Sequence, residues 1–149
     1  MVNIILMIAA ILLSPINTFA QSLWSRDTAS ERVMQNECDD KVFTKVENTA
    51  SLNIPATDFG DTLYSFLKSK KVFLDKTKIK FRFIVTTRSQ IFDITKESGE
   101  LRKEGIVKEA LLKFSSYWNP ATQNGHKVCS YVRFEMSIKD EKLQIAITQ

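Results

Sequence analysis

The stretch Trp118-Asn119-Pro120-Ala121-Thr122-Gln123-Asn124-Gly125-His126 leads into an alternating run from Lys127 to Ile138. Pro120 cannot extend the helical pattern that leads into Trp118, because it lacks a backbone N–H and its ring clashes with the preceding turn. Asn124-Gly125 supplies two residues that tolerate positive φ, as a tight turn between strands requires. Val128, Val132, Phe134, Met136 and Ile138 then fall on one face of a strand. The unit reads as helix, anchoring Trp, corner and strand, and this order decides the fold.

Upstream, Val107, Ala110, Leu111, Phe114 and Trp118 recur on one stripe, which predicts a helix over about 101–117. Gly105 costs such a helix about 1 kcal/mol against Ala, so its start is expected near Ile106. Before it, Ile79, Phe81, Phe83 and Val85 alternate with polar residues as in a half-buried strand. Thr87-Arg88-Ser89-Gln90 separates that strand from a second, short one over Ile91 to Thr95. Phe59, Leu63, Phe66 and Leu67 mark an earlier helix, with Thr57 or Asp58 placed to cap its first turn and Lys68, Lys70 and Lys71 near its last. Lys41 to Val46 reads as a short strand or extended arm, with Leu52 and Ile54 as anchors in the connection that follows. After Lys127 to Ile138, Asp140-Glu141 turns the chain and Leu143, Ile145 and Ile147 could add a fourth strand. A sheet with one apolar face needs a cover, and the helices supply it, so the expected class is α+β, a two-layer sandwich.

The first residues carry a different signal. Ile4 to Leu13 is almost wholly apolar, too short to span a hydrocarbon core, which takes roughly 20 residues, but suited to the centre of a secretory signal peptide. Thr18 and Ala20 occupy the small positions read before cleavage, so residues 1–20 are expected to be a cleaved signal. An uncleaved anchor is the alternative, because no Lys or Arg stands near the start. Residues 21–56 form a partly ordered lead segment with Leu23, Trp24 and Val33 as its packing residues, and residues 57–149 form the domain. Export predicts a periplasmic or secreted location, with no stable membrane span once the signal is removed.

Cys38 and Cys129 are the 2 cysteines, an even count in an exported chain. Joined, they would close a loop of roughly 90 residues, worth about 4 to 5 kcal/mol in the chain-entropy picture. Unpaired, they would behave as small apolar residues. Charge is balanced, 21 basic against 17 acidic residues for a net +4. The densest basic series, Lys68, Lys70, Lys71, Lys76, Lys78 and Lys80, is broken by Val72, Phe73 and Leu74. This is not the continuous stripe of a nucleic-acid binder, so nucleic acid is not an expected partner. A solvated rim is the plain reading, and contact with anionic lipid or glycan the alternative.

Catalysis finds little support. The single histidine, His126, follows a turn, and no nucleophile has a local signature that matches it. His126, Cys129 and Asp140 would be a thin metal-ligand set without the usual spacing, and the 4 glycines make no phosphate-binding loop. The expectation is a non-enzyme with no cofactor and no metal.

In wording and order, Trp118, Pro120 and Ala121 followed by Asn124, Gly125 and the final strand resemble the C-terminal domain of TonB-family energy transducers of the Bacteroidota type. The likeness extends over about Ile79 to Ile138 through Phe83, Val85, Ile91, Asp93, Ala110, Leu111 and Val128, with a looser echo at Val42 to Glu47 and Thr62 to Leu67. Arg88-Ser89 replaces the family's Asp-Gly hairpin, and Val72 to Asp75 replaces its Tyr-Pro corner. Only 3 prolines occur, so the Pro-rich spacer of a transducer has no counterpart. The resemblance implies a β-β-α-β core, here with an added N-terminal helix and a possible C-terminal strand, in a relative that keeps the domain without membrane anchor or spacer. Trp118, Pro120, Ala121, Asn124 and Gly125 are then mainly structural.

Function follows from the same likeness. The family recognises an extended segment of an outer-membrane transporter by β-augmentation, pairing it with a free strand edge. Carried over, the partner is an envelope protein or such a transporter segment, a second copy of the chain being a further candidate. The contact residues would be Lys127, Cys129, Tyr131, Arg133 and Glu135, alternating away from the covering helix. The plainer possibility is that this strand is interior or covered by residues 143–148, so that docking would require their displacement. From a different class, the alternative is a self-closed periplasmic domain holding a small apolar ligand or lipid between helix and sheet.

Overall fold

Alternation in the strands and a 3.6-residue stripe in the helices meet at one aromatic core in the computed structural model, which describes Cys38, residues 41–74 and residues 78–148. The signal at 1–20, Leu23, Trp24, Val33 and Lys76 lie outside the described residues. In chain order the elements are β1 (Ser51–Leu52), α1 (Ala56–Ser69), β2 (Ile79–Val85), β3 (Ile91–Ser98) and α2 (Glu104–Lys113). A 3-10 turn (Ser115–Tyr117) follows, then β4 (Trp118–Asn119), β5 (Ala121–Gln123), β6 (His126–Val128), β7 (Ser130–Lys139) and β8 (Lys142–Thr148). The main sheet is antiparallel with order β3-β2-β7-β8, and β1-β4 and β5-β6 form two small ribbons. This is a mixed α+β fold.

Ile79, Phe81, Phe83 and Val85 of β2 and Val132, Phe134 and Met136 of β7 are buried on the covered face of the sheet. Phe59, Leu63 and Leu67 of α1 and Val107, Ala110 and Leu111 of α2 meet them. Phe59 stands at the centre, edge-on to Trp118 (6.3 Å), Phe134 (6.3 Å), Phe114 (6.4 Å) and Tyr117 (6.0 Å). Burying each such ring is worth about 1.5–3 kcal/mol. A second, smaller cluster lies elsewhere, where Cys38, Ile84 and Cys129 pack with Val42, Phe92 and Tyr131. Ile84 therefore breaks the simple in-and-out pattern of β2 because it has a cover of its own.

Several expectations are revised. The helix at residue 57 begins at Ala56 with Pro55 as its N-cap and no side-chain cap, while Asp58 sits in the first turn and Lys68 in the last, where they complement the helix dipole. The second helix is shorter than 101–117. It starts at Glu104 after Lys103, whose left-handed φ of 63° turns the chain into it, and beyond Lys113 the backbone tightens into the 3-10 turn. Gly105 falls in the first helical turn, where its cost is smallest. The second strand runs to Ser98 rather than Thr95.

The run from Lys127 to Ile138 is not one strand. β6 folds back on β5 across Asn124 (φ 51°) and Gly125 (φ 76°), the chain breaks register at Cys129, and β7 then joins the main sheet. Trp118 is fully buried as expected, but its indole Nε1 meets no acceptor. Rings of Phe59, Phe83 and Phe134 surround the indole, and aromatic edges offer no carbonyl oxygen.

Candidate functional site

Tyr131, Arg133 and Glu135 project from β7 on the face away from the buried Val132, Phe134 and Met136, the side the alternation predicts. There they belong to a charged ladder. The Arg82 guanidinium lies 5.1 Å from the Tyr131 ring centroid, Arg133 Nε is 3.5 Å from Glu97 Oε2, and Glu135 bridges Lys78 (2.7 Å) and Lys80 (3.4 Å). Hydrogen bonding from Lys78, reinforced by Lys80 and opposed only by some desolvation, holds the Glu135 carboxyl below its ordinary range. Lys127 is exposed on β6, opposite Thr122.

The backbone of that strand is not free, which corrects the docking edge expected at Lys127, Cys129, Tyr131, Arg133 and Glu135. β2 pairs with one side of β7 over Ser130 to Met136. On the other side, β8 pairs with Arg133 to Lys139. Lys139 and Lys142 flank a two-residue turn, Asp140 (φ 51°) and Glu141 (φ 60°), and so form a bonded pair. By alternation Ser137, Glu135 and Arg133 bond to Gln144, Ala146 and Thr148. Where β8 stops, Phe43 continues the same edge: its N–H donates to the Cys129 carbonyl (2.9 Å), and the Tyr131 N–H donates to its carbonyl (3.1 Å). The polar groups that a guest would need are filled by the chain itself.

The cysteines hold that arm in place. Cys38 and Cys129 form a disulfide with Cα atoms 5.7 Å apart. The Lys41 N–H donates to the Cys38 carbonyl (2.8 Å), so the arm turns from the disulfide directly onto β7. Further along, Asn48 and Thr122 exchange backbone hydrogen bonds (3.2 and 2.9 Å), and the Glu47 carboxylate accepts from the Asn124 N–H (2.9 Å). Trp118, Pro120, Ala121, Asn124 and Gly125 thus build a corner that the arm laces down, with Trp118 paired to Leu52.

The open edge of the sheet lies one strand further out, on β8. Since Lys142, Gln144, Ala146 and Thr148 bond to β7, the N–H and C=O groups of Leu143, Ile145 and Ile147 point away from it. At Leu143 the carbonyl is roofed by α1, because a Cβ built on Gly60 would stand 2.8 Å from it. Ile145 and Ile147 have no strand outside them among the described residues. Their side chains pack against the core while Gln144, Ala146 and Thr148 are exposed. Residues 143–148 are read from sequence only as a fourth strand that could cover β7; the edge they create in doing so carries no signal beyond their own alternation.

The interlayer space proposed for an apolar ligand is filled by Phe59, Leu63, Phe83, Leu111, Trp118 and Phe134, each fully buried. Among the described residues no three His, Cys, Asp or Glu side chains group as metal ligands, and His126 is exposed. No helix of the described residues is long and apolar enough to cross a membrane. Comparison with protein-family profiles, with characterised proteins and with solved structures finds no match.

Proposed function

We propose that the chain is a non-catalytic exported domain of the cell envelope, similar to the TonB C-terminal domain, that binds an extended segment of a protein partner as an added strand on β8. The observation that carries this reading is the unpaired outer edge at Ile145 and Ile147 on a strand in regular register with β7. Such an edge offers two N–H and two C=O groups to a guest chain, each bond worth about 0.5–1.5 kcal/mol net. Addition outside β8 is favoured over displacement of β8. Displacement would expose Leu143, which is 4% accessible, and break a ladder of seven residue pairs. The disulfide suits an oxidising compartment, in keeping with an exported chain.

The test is titration of the chain with extended peptides taken from outer-membrane transporter segments. Ile147→Pro removes an outward N–H and no bond to β7, and is expected to weaken binding about five- to tenfold, the loss of one to one and a half kcal/mol. Full retention of binding in a folded Ile147→Pro chain overturns the reading.

A further inference from the structure

Away from the sheet edge, a cleft of about 930 Å³ opens between the end of α1 and the β3–α2 connection, lined by Lys71, Val72, Phe73, Lys96 and residues 99–103. The walls are built by unusual backbone. Lys71 (φ 55°) and Lys103 (φ 63°) are both left-handed, as is Gly99 (φ 90°), and a Cβ on Gly99 would stand 2.6 Å from the Lys78 carbonyl. Lys103 Nζ reaches across to the carbonyls of Lys70 (3.3 Å) and Lys71 (3.1 Å), tying the two walls together and completing the C-terminus of α1.

Two properties of the cleft bear on what it could meet. Its lining holds four cations, Lys71, Lys96, Arg102 and Lys103, against one anion, Glu100, a balance of +3 in a chain whose total is +4. Lys96 is engaged by Glu104 (3.2 Å), whereas Arg102 and Lys71 are exposed at the rim. Phe73 also stands on this rim with 84% of its surface exposed, although every other phenylalanine among the described residues is at least partly buried. A ring held in water beside cations that have no ion pair among the described residues is the pairing that seats a protein on a charged bilayer, the ring entering the interface and the cations meeting lipid phosphates. A free phosphate would satisfy the cations and leave Phe73 in water.

We propose that this end of the molecule docks on an anionic lipid surface, with Phe73 entering the interfacial layer and Lys71 and Arg102 contacting headgroup phosphates. The inference is independent of peptide docking on β8. Flotation of the full chain with vesicles of phosphatidylcholine and phosphatidylglycerol, against phosphatidylcholine alone, tests it. The apolar segment near the start of the chain contributes equally to both arms, so the reading is the preference for the anionic vesicle. That preference is expected to fall about fivefold in Lys71→Gln and in Arg102→Gln, one surface charge each. Phe73→Ser is expected to lower binding to both vesicles about tenfold or more, the loss of one buried ring, and to leave the preference in place. High salt should abolish the charge part and leave the Phe73 part. Equal binding to both vesicles, a preference that survives Lys71→Gln and Arg102→Gln, or binding to both vesicles unmoved by Phe73→Ser, each in folded protein, overturns the proposal. So does saturable binding of inorganic phosphate that Arg102→Gln removes while the vesicles show no preference.

Discussion

β3 and β8 are the two outer strands of one sheet, and they treat their free edges in opposite ways. β3 is irregular against β2 in two places, and Asp93 within it takes a φ of 53°. Each bulge leaves a residue out of the ladder and twists the strand, a common means of keeping other chains from pairing. Ion pairs from Lys96 to Glu104 and from Glu97 to Arg133 add charge along it. β8 has no bulge, pairing residue for residue with β7, and α1 closes over the Leu143 carbonyl and reaches the Ile145 side chain. An edge left regular in a fold that blunts its other edge is the place to look for a guest strand.

The strand next to β8 sharpens the contrast. β7 carries the more inviting side chains, but its outer groups are occupied by β8 and by the Phe43 arm. The largest expected effect comes from releasing that arm. Replacing both cysteines, Cys38→Ser with Cys129→Ser, should lower stability by about 4–5 kcal/mol on the chain-entropy picture, measured by urea unfolding. The Tyr131 amide, bonded to the Phe43 carbonyl, should then exchange faster while the amides of Gln144 and Ala146 hold.

Gly60→Val attacks the other side. A side chain there runs into the Leu143 backbone, which cannot swing aside as a flexible side chain could. A loss of about 1–3 kcal/mol is expected, with faster exchange along β8 and none along β3. Ser89→Gly should act in the opposite direction and at the β3 end. Ser89 holds a φ of 64° in the hairpin, braced by Thr86 Oγ1, which accepts from the N–H groups of Arg88 and Gln90 (both 3.2 Å). Glycine removes the left-handed cost, so a gain of about 1 kcal/mol is expected in thermal unfolding.

The smallest effect is electrostatic. Lys108 and Lys96 hold the Glu104 carboxyl low by hydrogen bonding, the first more strongly, as Lys78 and Lys80 do for Glu135. A carboxyl depressed in the folded state stabilises the protein above its ordinary value of 4.5 and loses that contribution as pH falls through the lower folded value. The urea midpoint should therefore decline slightly more steeply below that pH in the natural chain than in Glu104→Gln, and a matched decline would remove these pairs from the account.

Much of the architecture is legible in the residues. Alternation marks β2 as far as Phe83, β7 and β8, the 3.6-residue stripes mark α1 and α2, and Asn124-Gly125 marks its turn. The failures have a common physical form, a local rule overridden by a distant partner. Lys127 to Ile138 alternates except at Cys129-Ser130, a small lapse in the pattern, and there Cys129 is bonded to a residue 91 positions away and the strand divides. Trp118 lies on the helical stripe but pairs as a strand with Leu52. Periodicity says which face of β7 is apolar and nothing about who pairs with its edge. The corrected site follows from that gap, because edge occupancy depends on Phe43 and β8 arriving from both ends of the fold.

Amide hydrogen exchange resolved by residue distinguishes an open β8 from an open β7. The Ile145 and Ile147 amides are expected to exchange rapidly in the folded chain and to become protected when an extended peptide binds, while those of Tyr131, Arg133 and Glu135 are slow throughout. Rapid exchange at Tyr131, Arg133 and Glu135 with protection at Ile145 and Ile147 in the free chain would contradict an open β8.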